Sequence, residues 1–187
     1  MKDLEFNTPA GQPIDRELLV MCINADKTAP KPKWSPVGSR VPDSSEEIDW
    51  SKETSTDILG KVRTTMKKPV ITQSFDPLPM DREDPVAKLL WNLAIRKQDA
   101  AALSNMDVLI CHYYAGDPTT GMFAERYDGS AVEVTGLGGQ GGGSLSIPTT
   151  VTPGGNRTIG LFTVDDSGEI NFVPDAGDDT EPAAVGA

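Results

Sequence analysis

The chain contains one histidine and two cysteines, the residue types best suited to bind a metal or to act with a nucleophile. Cys111 and His112 are neighbours in an apolar run, and Cys22 lies in another. Successive side chains of a strand point to opposite faces, so Cys111 and His112 cannot readily share one ion. Burial of His112 also weakens any Ser-His-Asp or Cys-His mechanism. We expect a structural histidine and, although a disulfide could form, two reduced thiols.

Other chemistry-bearing patterns also favour ordinary explanations. Acidic pairs occur at 46–47, 165–166 and 178–179, but a glycosidase cleft needs aromatic platforms and aromatic residues make up only 6% of the chain. Adjacent acids more often solvate exposed strands and turns. The glycine-rich stretch 136–143 lacks the Lys-Ser/Thr pair of a P-loop and precedes no helical pattern. We therefore predict a flexible connector there, no enzyme activity and no cofactor or metal.

The charge of the chain is concentrated at one end. The formal net charge is −11, from 28 acidic and 17 basic residues. From residue 165 onward there are seven acids and no base, which leaves −4 for the rest of the chain. This charge balance argues against a protein that must grip DNA or RNA, because neutralising phosphates needs clustered Lys and Arg, but it allows nucleic acid to slide past. The length fits one β domain at 1–174, followed by an acidic, disordered tail at 175–187.

Targeting signals are not evident. The amino-terminal residues MKDLEFNTP form no apolar signal core, and no later run is long enough to cross a bilayer. We expect a soluble protein that is made in a cytoplasm.

The elements that position these residues are mostly strands. Leu18 to Ile23 is an apolar run of strand length, and Val108 to Tyr114 reads as a central strand. Asp128 and Gly129 suit a tight turn between two strands, and a final hairpin is expected around residues 165–168. On the strand after Gly129, Val132 and Val134 should face the core and Glu133 the solvent. Prolines 30, 32 and 36 predict a surface loop.

One helix is predicted, beginning with Asp84 as the N-cap and Pro85 at the first helical position. Its apolar arc is so broad that we expect it to pack inside its own domain or against a neighbouring subunit. The residues assigned to this packing are Val86, Leu89, Leu90, Trp91 and Leu93. The predicted fold class is mainly β, a β-sandwich or partial barrel with one flanking α-helix.

The segment from Asp43 to Asp76 has the most distinctive pattern. Ile48 and Trp50 are expected on a core-facing side of a strand, and the alternate positions Glu47, Asp49 and Glu53 on a side that faces water. A sheet of this kind without an active site indicates an assembly component rather than a catalyst.

A basic cluster follows, in a long arm at about residues 51–68. Lys61, Arg63, Lys67 and Lys68 lie within eight residues, next to a tip at Ile58, whereas 43–57 contains six acids and one lysine. The two arms of this hairpin could pair internally. Alternatively, the basic arm could dock on an acidic surface of another copy, which would generate repeating head-to-tail assembly.

Four segments together resemble the major tail tube proteins of long, non-contractile-tailed phages (siphophages) of Gram-positive hosts. They are 7–19 (NTPAGQPIDRELL), 43–54 (DSSEEIDWSKET), 58–77 (ILGKVRTTMKKPVITQSFDP) and 123–128 (FAERYD). The likeness extends over about residues 6–174 and rests on order and texture rather than on a catalytic signature.

The resemblance implies a β-sandwich subunit of the virion tail, assembled in the host cytoplasm, with hexameric rings stacked into a hollow tube. Glu47, Asp49, Glu53 and Glu133 would line an acidic lumen through which double-stranded DNA passes without tight binding. The arm with Ile58 would bridge subunits or rings. Expected partners are further copies of the chain, a tape measure protein inside the tube, and terminator and distal tail proteins at its ends.

The alternative function is a β-sandwich recognition module, such as a carbohydrate-binding or adhesin domain on a virion or cell surface. Such a module exposes aromatic side chains on one face or in tip loops. Trp34, in the proline-rich loop, is the candidate for that role.

Overall fold

A computed structural model describes residues 4–175. Within this range the chain forms eleven strands, one principal helix and a few shorter helical turns, so the predicted mainly β class with a flanking helix is confirmed. The acidic tail predicted at 175–187 lies, after Asp175, outside the described residues. The strands are β1 Leu19–Asn24, β2 Trp34–Pro36, β3 Glu46–Asp49, β4 Glu53–Thr56, β5 Val62–Thr65, β6 Val70–Phe75, β7 Met106–Asp117, β8 Gly121–Val134, β9 Thr149–Thr152, β10 Arg157–Val164 and β11 Ile170–Pro174.

Nine of these strands form two antiparallel sheets that share the long strand β8. The first sheet has the order β2-β1-β7-β8-β10-β11, and the second has the order β8-β9-β6-β3. The first part of β8 pairs with β10, whereas its last residues pair with β9. One strand therefore connects the two layers.

The turn predicted at Asp128 and Gly129 is wrong, because β8 runs through both residues without reversing. Beyond them, Ser130 still pairs with Met106 of β7, and Ala131 pairs with Thr152 of β9. A Cβ atom on Gly129 would lie 3.1 Å from the Cα atom of Gly155. The glycine thus allows two backbones to approach closely rather than making a hairpin turn. The final hairpin, by contrast, is present as β10 and β11.

Two apolar clusters lie on opposite faces of the first sheet. The larger one is enclosed by both sheets and the helix and includes Met21, Phe75, Leu90, Val108, Ile110, Val132 and Val151. The smaller one contains Cys22, Leu109, Cys111, Met122, Ala124, Phe162 and Ile170. Trp34 of β2 and Phe172 of β11 both pack against the smaller cluster, which therefore extends across the whole first sheet.

The predicted helix start is confirmed. The Asp84 side chain accepts hydrogen bonds from the backbone N–H groups of Val86 at 2.8 Å and Ala87 at 3.2 Å, and Pro85 begins helix α1, Pro85–Leu90. The helix continues as a π-helical segment, Trp91–Lys97, and ends where Gln98 adopts a φ of 53°. A short helix α2, Ala100–Leu103, precedes β7.

The proline-rich segment is not entirely loop. Trp34–Pro36 forms β2, and Pro36 pairs with Cys22 of β1. β2 is an edge strand with a partner on one side only. Pro36, which has no N–H group, therefore does not interrupt the hydrogen bonding of a strand that lies between two others. Trp34 is only half exposed and stacks against Arg126, whose guanidinium lies 5.8 Å from the ring centroid. The expectation that Trp34 is an exposed recognition residue is therefore wrong.

The acidic segment is not one continuous strand either. The chain leaves the second sheet after β3, and Ser51 adopts a left-handed φ of 44° before β4 begins. Ile48 is 51% exposed and Trp50 is 48% exposed, so the prediction that both lie in the core is wrong. The reason is tertiary: β3 is the edge strand of the second sheet, and the space beside it is an open groove rather than a closed core.

Candidate interaction surfaces

Three of the predicted lumen residues share one exposed face of the second sheet. Glu47 lies opposite Thr72 in the pairing of β3 with β6, and Glu133 lies opposite Thr150 in the pairing of β8 with β9. Ser74 lies opposite Thr150, and their hydroxyl oxygens are 3.2 Å apart. Alternation along β3 and β6 therefore places Glu47, Asp49, Thr72, Ser74, Thr150 and Glu133 on the same side. We call these six residues the acidic face.

Glu53 does not belong to the acidic face. It begins β4, whose one strand partner within residues 4–175 is β5, and its carboxylate accepts a hydrogen bond from the Lys67 ammonium group at 2.7 Å. This hydrogen bond lowers the pKa of Glu53. The expectation that Glu53 continues the strand of Glu47 fails because the chain turns at Ser51.

The hairpin formed by β4 and β5 projects from the second sheet, and we call this hairpin with its flanking residues, 51–68, the arm. Its strands pair only with each other among the described residues. The Asp57 side chain organises the tip, because Oδ1 accepts hydrogen bonds from the backbone N–H groups of Leu59 and Lys61, each at 2.9 Å. Gly60 supplies the left-handed φ of 77° that this turn requires. Ile58 and Leu59 are consequently presented to solvent at 102% and 88% exposure.

The basic residues of the arm have different surroundings. Lys67 forms the ion pair with Glu53, as the hypothesis of internal pairing expects. Lys61 and Arg63 form no ion pair with any of residues 4–175. Lys68 lies at the base of the arm and lines a groove together with Trp50.

The helix residues fall into two groups. Val86, Leu90 and Leu93 are buried in the larger cluster, and Leu89 packs against it while half exposed. Trp91 is 36% exposed, and Ile95, one turn later, is similarly exposed. The helix therefore covers its own core with one side and presents two apolar side chains on the other.

Sequence reasoning missed a polar cluster between the two sheets. His112 interacts through Nδ1 with the Tyr114 hydroxyl at 2.7 Å and through Nε2 with Glu125 at 3.1 Å. Glu125 also accepts hydrogen bonds from the Tyr127 hydroxyl at 2.8 Å and from Nε of Arg157 at 2.7 Å. The available signal was the alternation of polar side chains, at 112 and 114 on β7 and at 125 and 127 on β8.

Two carboxyl groups of this region have opposite pKa shifts. Burial alone would raise the pKa of Glu125, but hydrogen bonds from His112, Arg157 and Tyr127 outweigh it and lower the pKa to about 2. Glu46, on β3, has a raised pKa, first because of burial and then because of the nearby negative charge of Glu125. Its Oε2 atom is buried and has no hydrogen-bond partner among the described residues.

The two cysteines are free thiols buried in the smaller cluster. A hydrogen bond with Cys22, together with burial, raises the pKa of Cys111. Among residues 4–175, no three or more His, Cys, Asp or Glu side chains are grouped as metal ligands. No helix in that range has the length and apolar character needed to span a membrane.

Comparison with known proteins gives a weak structural likeness. No protein-family model matches the chain, and no curated protein matches it. One solved structure, an extracellular contractile injection system described as a PVC sheath-tube complex in the extended state, contains a chain that aligns with a TM-score of 0.47 at 8% identity. The alignment covers 81% of this chain and 94% of that chain. A likeness at this level does not assign a function.

Proposed function

We propose that the chain is the structural subunit of a siphophage tail tube and has no enzymatic role. Six copies form a ring, and rings stack into a hollow tube that conducts the viral DNA into the host cell. The sequence resemblance over residues 6–174 supports this proposal. Three features of the fold also support it: the arm, the acidic face and the open sheet edges.

The observation that carries the proposal is the arm. An isolated two-stranded hairpin is at best marginally stable in water, yet every residue of β4 and β5 is exposed. Its tip also presents Ile58 and Leu59 to solvent, and apolar surface that stays in water contributes no hydrophobic stabilisation. Burial against a second copy would remove that surface from water. A heterologous contact of this kind repeats from copy to copy, as stacked rings require.

The acidic face suits the wall of a channel for DNA. Glu47, Asp49 and Glu133 are exposed on one side of a four-stranded surface whose remaining side chains there are mostly hydroxyl groups. Carboxylates repel phosphates, and Ser and Thr residues do not hold them strongly. We propose that this face lines the lumen, with Glu53 on the arm rather than in the channel.

Open edges provide a means of closing the ring. Within the described range, β2, β3 and β11 are each paired on one side only. The unpaired backbone N–H and C=O groups of an edge strand are a template for pairing with another chain. Pairing between subunits would satisfy these backbone groups and close the inner sheets into a barrel. Trp91 and Ile95 on the helix would then pack against a neighbouring subunit.

This proposal sets the location and partners. The subunit would be assembled in the host cytoplasm and reside in the virion tail. It would contact further copies of itself, a tape measure protein inside the tube, and terminator and distal tail proteins at the tube ends. Double-stranded DNA would pass through transiently.

Negative-stain electron microscopy of the purified full-length chain tests the proposal. We expect rings or hollow tubes, accompanied by fast-sedimenting species in the ultracentrifuge. A chain that stays monomeric at high micromolar concentration, in low and physiological salt alike, would contradict the proposal.

A second candidate, the surface recognition module, rests on Trp50 rather than on Trp34. Trp50 lines a groove of about 310 Å³ together with Ile71, Tyr127 and Arg157. A half-exposed indole beside polar groups is a surface on which a sugar ring could stack. Glycan-array binding that is lost in Trp50→Ala, from a protein that remains monomeric, would favour this function over the tube.

A further inference from the structure

A second exposed apolar surface lies at the β10–β11 edge of the first sheet. Leu161 of β10 lies opposite Phe123 of β8 on one side and opposite Val173 of β11 on the other. The three side chains therefore form a row across three strands, on one face of the sheet. Together with Leu4 and Asp175 they line a groove of about 400 Å³, which we call the edge groove.

The edge groove is poorly covered by its own chain. Val173 is 65% exposed, and Leu4 and Leu161 are exposed as well. Single exposed apolar residues are ordinary on protein surfaces, but a row that lines a concave surface is a feature of binding sites. This groove thus lacks an apolar occupant among residues 4–175.

The arm tip has the matching chemistry. Ile58 and Leu59 are consecutive, nearly fully exposed aliphatic side chains, held by the Asp57 turn in one compact conformation. A tip that is already ordered loses less conformational entropy on binding than a flexible loop does. The tip does not occupy the groove of its own chain, because both side chains are solvent-exposed.

Charge favours the same pairing. Lys61 and Arg63 follow the tip directly, whereas Asp175 lines the edge groove. The sequence continues from Asp175 with three more acids, Asp178, Asp179 and Glu181, and with no base up to residue 187. The positive charges of Lys61 and Arg63 are therefore attracted to the negative charge of Asp175 at this edge.

We propose that the arm tip of one copy, with Ile58 and Leu59, inserts into the edge groove of a copy in the adjacent ring. The inference rests on the proposed function, because it names the receiving surface for the arm. The contact joins two different surfaces of the chain, so each copy at the end of a stack retains one free arm or one free groove, and stacking continues.

Cysteine cross-linking tests the contact. Leu59→Cys is mixed with an equal amount of Val173→Cys, the mixture is assembled, and disulfide-linked dimers are measured after mild oxidation. Cys22 and Cys111 are fully buried, so they do not react in the folded chain. The matched control replaces Val173→Cys with Leu145→Cys, another exposed aliphatic position, in the loop before β9. We expect tubes in both mixtures and dimers only in the first.

Substitutions that need no cross-linking reaction provide the second measurement. Val173→Asp should abolish tube elongation at concentrations at which the native chain assembles, because it places a charge where apolar side chains must pack. Ile58→Ala and Leu59→Ala together should raise the critical concentration for assembly at least roughly tenfold.

The outcomes separate the inference from the function. Tubes in which Leu59→Cys and Val173→Cys form no disulfide, or Val173→Asp tubes of normal length, would overturn the edge groove as the receptor while leaving the tube proposal in place. A disulfide formed instead between Val173→Cys and Ala183→Cys of one chain would also overturn it, since the carboxy-terminal residues would then fill the groove. Absence of any tubes from the native chain would overturn the function, and the inference with it.

Discussion

At the scale of single residues, Glu125 and Glu46 show how the surroundings of a carboxylate decide whether its ionisation stabilises the fold. The Glu125 carboxylate has three side-chain donors, and its pKa falls to about 2 although burial opposes this. Glu46 comes from the other sheet and contributes negative charge to the same region without a partner for Oε2 among the described residues. One carboxylate therefore stabilises the fold when ionised, and the other destabilises it when ionised.

Glu46→Gln should stabilise the protein at neutral pH. The raised folded pKa means that ionisation of Glu46 costs stability, and this cost appears as the pH rises through its ordinary value of 4.5 towards the folded one. We expect a gain of at most about 1 kcal/mol at pH 7, since Glu46 is only partly buried and solvent screens its charge.

Urea unfolding of the unassembled chain measures this gain, which should disappear at low pH, where the carboxyl is protonated in both states. Glu47→Gln, one residue along and exposed, is the control and should change little. A loss of stability in Glu46→Gln at neutral pH would contradict this account.

Glu125→Gln should have the opposite effect. The depressed pKa contributes stability that is present above the ordinary value of 4.5 and is lost as the pH falls towards about 2. That difference corresponds to roughly 3 kcal/mol, so the variant should be less stable by about that amount at neutral pH and should approach the native chain near the depressed pKa. Urea unfolding across this pH range measures the effect, with exposed Glu133→Gln as the control. A difference that does not depend on pH would show that the carboxylate charge is not the cause.

At the scale of elements, the arm and the strands beside it are stabilised by different contacts. β3 and β6 are held by the second sheet, whereas β4 and β5 have only each other and the Asp57 turn among the described residues. The tip is therefore set by local sequence, and substitutions in it should leave the rest of the fold intact. This separation makes the arm a suitable place to alter assembly without altering stability.

Reversal of charge on the arm should block elongation. Lys61→Glu combined with Arg63→Glu removes the attraction to an acidic edge and replaces it with repulsion. We expect a folded chain with an unchanged unfolding midpoint but without tubes, as judged by electron microscopy and sedimentation. Lys31→Glu combined with Arg82→Glu makes the same change in net charge at exposed positions outside the arm and the helix. Tubes of normal length from the arm variant would rule out the arm as a charged contact, and their loss from both variants would indicate a general effect of net charge.

At the scale of the whole molecule, the acidic face exists only because separate strands share a sheet. β3 and β8 lie three strand spacings apart, roughly 14 Å, with β6 and β9 between them. Glu47 and Glu133, distant in sequence, thereby belong to one continuous polar surface. Repetition of that surface around a ring would give a channel lined throughout by negative charge.

Neutralising the face should spare assembly and impair DNA passage. In Glu47→Gln, Asp49→Asn and Glu133→Gln combined, tubes should form at normal length, because pairing of β3 with a neighbouring subunit would use backbone groups while these side chains face the lumen. Phage particles with these tubes should release DNA more slowly, and the purified tubes should retain double-stranded DNA in low salt. The control neutralises three exposed acids elsewhere, Glu17, Glu83 and Asp166. DNA release and DNA binding identical to those of the native tubes would remove the lumen role from this face.

Much of the local structure followed from the sequence itself. The Asp84–Pro85 pair determined where the helix begins, because the cap and the fixed φ act within one turn. The apolar runs around Cys22 and Cys111 defined buried strands, and alternation placed Val132 in the core and Glu133 outside. These properties depend on neighbours along the chain, which is why periodicity and capping revealed them.

Only the tertiary structure decided which faces are covered. Ile48 and Trp50 have the pattern of a core strand but lie beside an open groove, because β3 is the last strand of its sheet. The Asp128–Gly129 pair resembles a turn, but it lies within β8 because partners on both sides keep the strand extended. The cluster around Glu125 likewise joins residues from β3, β7, β8 and β10. Strand pairing between distant segments sets these outcomes, and the alternation within one segment carries no information about which partner it will meet.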